Sequence, residues 1–118
     1  MSDTPPRLFV ACFCAAWCRT CDEYLHVFHT LQAQYAENAD FVWVDIEDHS
    51  DVLDNIDVDN FPTLLISDAE HVYFWGTVLP HLTTASKLMG RAVSGDVRAI
   101  DAPDIFALNQ RLRIHFFH

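Results

Sequence analysis

The chain has 118 residues, of which 51% are apolar and 13% aromatic, and it carries a formal charge of −10. That length fits one domain with a substantial core. The negative balance opposes nucleic-acid phosphates and anionic lipid, so no nucleic-acid or membrane partner is expected. No apolar stretch approaches the roughly 18 residues of a membrane span. The N-terminus also lacks the basic, apolar and small-residue succession of a secretory leader, so a soluble, cytoplasmic protein is expected.

Residues 1–6, rich in polar residues and proline, read as a loose N-terminal arm. Arg7–Phe13 is a continuous apolar run of strand length, the pattern of a strand buried on both faces. From Cys21 the period becomes helical, with Leu25, Phe28, Leu31 and Tyr35 three or four apart and Glu23, Gln32, Gln34 and Glu37 between them. This helix is expected to end near Asn38, with a second strand over Phe41–Val44. Asp40, Asp45, Glu47, Asp48, Asp51, Asp54, Asp57 and Asp59 fall within one twenty-residue window. They read as a solvated face, with a docking surface for a basic partner as the alternative. No calcium-loop spacing occurs among them.

Ser50–Ile56 is read as a short helix that Ser50 or Asp51 can cap. Phe61–Ile66 is an apolar strand beginning beside Pro62, and residues 68–70 turn the chain into a returning strand over His71–Trp75. A helix over Leu82–Val93 precedes a tail in which Pro103 and Asp104 start another helix, Ala102–Leu112. The order predicts an α/β fold: a central mixed four-stranded sheet, first two strands parallel and last two antiparallel, flanked by helices.

Cys12, Cys14, Cys18 and Cys21 lie within ten residues, and no cysteine occurs elsewhere. A structural disulfide framework would spread its bridges over the fold, so the clustering argues against one. Zinc or iron–sulfur ligation needs four ligands from separate loops, whereas only one Cys-x-x-Cys is present; His26 or His29 would have to complete a site. No metal and no cofactor is therefore expected. A Cys-x-x-Cys at a helix N-terminus places the first sulfur near unpaired N–H groups and the positive end of the helix dipole, which favour thiolate. The second cysteine, one turn inside, can resolve the mixed disulfide formed by the first. Cys18 is thus the candidate nucleophile and Cys21 the resolving thiol. Cys12 and Cys14 alternate to one side of the first strand as auxiliary thiols or small buried hydrophobes.

Ala15-Ala16-Trp17-Cys18-Arg19-Thr20-Cys21 after a buried strand resembles the active-site segment of the thioredoxin family, and Phe61-Pro62-Thr63-Leu64-Leu65 resembles that family's cis-proline strand. The resemblance covers residues 7–93, leaving 94–118 as a C-terminal extension and the fold N-terminally shortened. It implies a cis Phe61–Pro62 bond beside the cysteines, with Phe61 and Pro62 offering backbone hydrogen bonds to substrate. It makes Trp17 the exposed aromatic beside the nucleophile, and gives Arg19 and Thr20 the role of tuning the redox potential.

The chain departs from the family in four places. Arg19-Thr20 replaces the usual Gly-Pro. Cys12 stands where the buried acid is expected, with Trp43 at the position of its lysine partner, so the familiar proton acceptor is missing; His26 and His29 read as surface residues rather than substitutes. Cys14 replaces an aromatic and offers a third thiol. Lastly, the first strand and helix have no room before Arg7, while the extra tail brings Phe106, Leu108, Leu112, Ile114, Phe116 and Phe117, with Arg111, Arg113, His115 and His118 making it the least acidic part. The tail either replaces the missing layer or forms a dimer contact.

The leading expectation is a thiol–disulfide oxidoreductase that reduces or isomerises protein disulfides through Cys18 and Cys21, served by an upstream thiol reductant. The alternatives are a thioredoxin-fold binding or chaperone-like module with little turnover, and a cysteine metal site.

Overall fold

The strand that organises the molecule is β1 (Leu8–Cys14), buried along its whole length. It carries no polar side chain that would turn a face toward water, so both of its faces are covered. Alternation sends Leu8, Val10, Cys12 and Cys14 into one core and Phe9, Ala11 and Phe13 into the other. The structure, a computed structural model, describes residues 7–15, 17–53, 56, 58, 61–78 and 81–116. The expected arm at 1–6, Ala16 of the motif, the acids Asp54, Asp57 and Asp59, and the terminal Phe117 and His118 lie outside the described residues.

After β1 come α1 (Arg19–Tyr35), β2 (Ala39–Asp45), α2 (Ser50–Leu53), β3 (Thr63–Ser67), β4 (Val72–Thr77), α3 (Leu82–Ser94) and α4 (Pro103–Phe116). The sheet runs β2-β1-β3-β4, with β1 parallel to β2 and antiparallel to β3, and β3 antiparallel to β4. It is the mixed four-stranded sheet expected. β3 starts at Thr63 rather than Phe61, since Pro62 has no N–H to give to a ladder.

α1 begins at Arg19, two residues before the expected start, with Cys18 as its N-cap in extended conformation. Its buried stripe is Cys21, Tyr24, Phe28 and Leu31, so Tyr24 takes the interior place expected for Leu25, which is half-buried. The series counted from Cys21 keeps to the helical i, i+3, i+7 spacing, and Leu25 falls at its flank. No glycine stops this helix. Instead, Arg7 donates to the carbonyls of Ala36 (2.7 Å) and Glu37 (3.0 Å) and to Asp40 Oδ1 (2.9 Å), placing a cation on the helix's negative end. α3 ends on Gly95, whose φ of 81° is the left-handed cap conformation that glycine adopts freely. Ala85, Met89 and Ala92 of α3 join α1 over the face of β1 that holds Cys12 and Cys14.

α2 and α4 cover the opposite face. The tail forms this layer within its own chain: Ile105, Leu108 and Leu112 are buried against Phe9, Phe13 and Leu65. α4 also runs to Phe116, one turn beyond the expected Leu112, and Phe106 and Ile114 stay exposed rather than packing. Polar pins set its register. The Asn109 amide donates to the Asp68 carbonyl (3.0 Å) and accepts from the Ser67 hydroxyl (2.7 Å), while Arg111 donates to the carbonyls of Val52 (2.7 Å) and Leu53 (3.2 Å) at the end of α2. Leu108 is fully buried, so Leu108→Ala is expected to destabilise the fold by about 2–5 kcal/mol in urea titration.

The turn between β3 and β4 is built on Asp68. Its carboxylate accepts the backbone N–H groups of Glu70 (2.8 Å) and His71 (2.7 Å) and the Tyr73 hydroxyl. Burial alone would raise this carboxyl, but those donors outweigh burial and hold it below the ordinary carboxylate range. Tyr73, desolvated and bonded to the carboxylate, is pushed up to about 12. Because the folded-state value of Asp68 lies below its unfolded one, its contribution is present above about pH 4 and is lost as pH falls through the folded-state value. The stability gap between wild type and Asp68→Asn, measured by urea titration at pH 7 and again near pH 3, should therefore shrink on acidification.

Candidate active site

The site forms where the C-terminal end of β1 meets the N-terminal end of α1. β1 is held at this end by the Ile46 N–H donating to the Cys14 carbonyl (2.9 Å). The chain then turns tightly, the Cys18 N–H donating to the Ala15 carbonyl (3.0 Å), and enters the helix. No side chain caps α1, so Cys18 sits at the N-cap with the unpaired N–H groups of the first turn beside it. Cys18 is half-buried, Arg19 exposed and Thr20 half-buried.

Trp17 is 68% exposed, and its indole meets the Phe61 ring edge-to-face at 5.4 Å. Such ring geometry contributes roughly 0.5–1.5 kcal/mol beyond area burial, so the two rings form a preset apolar platform next to Cys18. The Phe61–Pro62 peptide bond is cis, Pro62 is buried, and its carbonyl accepts the Val78 N–H (3.0 Å). Phe61 and Cys18 pack against the same core cluster. The structure thus brings Trp17, Cys18 and Phe61 to one surface.

Beneath that surface lie three sulfurs. Cys14 and Cys21, each 2% exposed, are joined in a disulfide with a Cα–Cα separation of 5.8 Å. Cys12, fully buried, has its sulfur 3.8 Å from that of Cys14. Cys12 and Cys18 are free thiols. The motif pairs Cys18 with Cys21 on paper; the structure bonds Cys21 to Cys14 instead. Alternation along β1 turns Cys14 toward α1, and Cys21, one turn into the helix, faces the sheet, whereas Cys18 at the cap lies toward the rim. Burial pushes the Cys12 thiol far up, so it holds its proton.

One neighbour of this cluster was not singled out by the motif. Tyr24 is fully buried, and its hydroxyl has no hydrogen-bond partner among the described residues. Burial and then the charge that Cys12 would carry push this phenol upward, so Tyr24 and Cys12 form a neutral pair beneath the cysteine pair. The signal available in the sequence was the spacing of Tyr24 three residues after Cys21. His26 and His29 are exposed on α1. Among the described residues, no group of three or more His, Cys, Asp or Glu side chains is arranged to hold a metal ion, and no helix is long and apolar enough to cross a membrane.

The thioredoxin family profile matches residues 3–76, more than half of the chain. The chain belongs to the thioredoxin family. Solved structures agree on the fold. Thioredoxin-2 of the malaria parasite superposes with a TM-score of 0.66 at 17% identity, over 75% of this chain and 86% of that one. Deadhead, the germline-specific thioredoxin of Drosophila melanogaster, gives 0.65 at 19% identity, over 73% and 81%. The thioredoxin of Malassezia sympodialis gives 0.65 at 17%, over 75% and 79%. At such identities the likeness is one of fold. Among curated protein sequences none matches. Thioredoxin family and fold, with four cysteines gathered at one end of the sheet, support a thiol–disulfide redox role in general.

The burial difference is directly measurable. In the native, reduced chain, Cys18 should alkylate at least about a hundredfold faster than Cys12, the rate following thiolate content and access. Time-resolved mass spectrometry reads this, with a denatured control in which the two rates converge.

Proposed function

We propose that this thioredoxin-family chain is a thiol–disulfide oxidoreductase that reduces or isomerises disulfides in protein substrates. The observation that carries the reading is the position of Cys18, a half-buried thiol at the uncapped N-terminus of the 17-residue helix α1, beside the exposed Trp17.

In reduction, the Cys18 thiolate attacks one sulfur of a substrate disulfide, forming a mixed disulfide and releasing the other substrate sulfur as a thiolate. The helix terminus stabilises negative charge on the attacking sulfur. Cys21, one turn further along, then attacks the Cys18 sulfur, expels the second substrate thiolate and leaves the chain oxidised by two electrons. An upstream thiol reductant returns it to the dithiol; in a reducing compartment this sets the direction. No cofactor is required.

Trp17 and Phe61 supply the apolar platform on which the polypeptide around the substrate disulfide rests. The backbone at Phe61 and Pro62 offers it hydrogen bonds, and Arg19 and Thr20 border the reacting sulfur. Of the acids of the 40–59 segment that the structure describes, Glu47, Asp48 and Asp51 are exposed and suit a basic partner, while Asp40 and Asp45 are half-buried.

A second reading, a binding or chaperone-like module with little turnover, is favoured by one observation: Cys12, a neutral thiol, occupies the buried position where an ionised acid would accept the Cys21 proton. Turnover separates the two. With a protein disulfide as substrate and a dithiol as reductant, the wild type should turn over and Cys18→Ser should lose at least about a hundredfold in rate, as removal of a nucleophile does. Cys21→Ser should accumulate a mixed disulfide on Cys18. Trp17→Ala should raise KM several-fold with little change in kcat. Wild-type turnover no faster than the dithiol alone would leave the binding module.

A further inference from the structure

Cys21 has one cysteine bonded to it in the structure and a second beside it on its own helical turn. Cys18 precedes it by three residues on the same helical turn, where side chains are neighbours. Cys14 faces it from β1, with a Cα–Cα separation of 5.8 Å, inside the range disulfides span. The bond in the structure is the inner one, between two cysteines each 2% exposed, and it leaves Cys18 as a free thiol at the surface. Cys12 stands behind Cys14 at 3.8 Å, with its sulfur in hydrogen-bond contact.

Resting on the oxidoreductase reading above, we propose that Cys14 is a third exchanging thiol, which attacks the Cys21 sulfur of a Cys18–Cys21 disulfide, moves the bond inward to Cys14–Cys21 and returns Cys18 as a free nucleophile. The step is an isomerisation. The Cys14–Cys21 bond forms, the Cys18–Cys21 bond breaks, and the proton that Cys14 gives up is taken by Cys18, with no external oxidant or reductant. Cys12 keeps its proton and serves as the S–H donor to the Cys14 sulfur while that sulfur carries charge. The oxidised chain then differs from a two-cysteine enzyme in a specific way. Its disulfide is shielded from solvent thiols, and its nucleophile is still available. A mixed disulfide formed on Cys18 in this state cannot be resolved by Cys21. It is resolved by a second thiol of the substrate, which re-pairs the substrate's own sulfurs and regenerates Cys18 without net redox change. The substrate class that fits this state is a protein with mispaired disulfides that also carries a free thiol.

The test uses the full chain, oxidised with glutathione disulfide for graded times, freed of oxidant, incubated, quenched in acid and alkylated. Cleavage after both Trp17 and Arg19 places Cys14, Cys18 and Cys21 on three different fragments, and mass spectrometry of the linked fragments locates the bond. The expected result is a Cys18–Cys21 linkage at early times that converts to Cys14–Cys21 after the oxidant is removed, with Cys18 alkylated. In oxidised Cys14→Ala the linkage should stay at Cys18–Cys21, and labelling of Cys18 by a maleimide should fall at least about tenfold below oxidised wild type. Cys14→Val, which keeps an apolar strand residue at the buried position, should behave in the same way if the alanine variant folds poorly. A linkage that remains Cys18–Cys21 in wild type, with Cys14 alkylated at every time, would overturn the third-thiol proposal while leaving the oxidoreductase reading intact. Absence of any disulfide at every glutathione ratio would overturn both.

Discussion

A single strand with no polar face sets the terms for the rest of this chain. β1 lies between β2 and β3, so its backbone is hydrogen-bonded on both edges, and its side chains are buried on both faces. Every second residue is committed to each layer, and a slip by one position would exchange Phe9, Ala11 and Phe13 with the cysteine-bearing set. The register against Ala39–Asp45 on one side and Thr63–Ser67 on the other prevents that slip. The chemistry follows from the same alternation. Cys12 and Cys14 can meet α1 only because they share a face, and the helix that begins five residues after Cys14 carries Cys21 back over them.

Much of this was legible in the residues. A long apolar run, a helical period beginning at the second motif cysteine, and a proline-led strand forty residues later fix strand order and helix placement. Periodicity carries such information because burial on a given face is a local property of spacing. What escaped it was anything decided by a three-dimensional neighbour. The exchange of Tyr24 for Leu25 in the buried stripe depends on Cys21 being the residue that α1 turns toward the sheet. The fate of the tail depended on Asn109 meeting Ser67 and the Asp68 carbonyl, a match invisible in composition. The partner of Cys21 is the sharpest case. The motif names the cysteine three residues away, but distance in space, set by the pleat of β1, also offers Cys14.

The interior beneath the cysteines is unusual in its charge state. A fully buried thiol, Cys12, and a fully buried phenol, Tyr24, share one core layer, and both are driven toward their neutral forms by desolvation. An ionised acid at this depth would need compensation by a partner cation, and the position that the family resemblance gives to that cation is held by Trp43, whose ring packs edge-on to Phe28 at 5.5 Å. The two departures therefore belong together: with no carboxylate to neutralise, an aromatic can fill the space of the cation.

The position of α4 has a bearing on how the chain is made. Both layers over the sheet are complete only when residues 103–116 have docked, and those residues leave the ribosome after every strand of the sheet. Until then Phe9, Ala11, Phe13 and Leu65 form an apolar sheet face that α2 alone covers in part. During synthesis, at roughly 5–20 residues per second, that interval lasts on the order of seconds. A message truncated before the Asn109 and Arg111 codons would leave the face open, and its product would be a client for chaperones rather than a shorter version of the same fold.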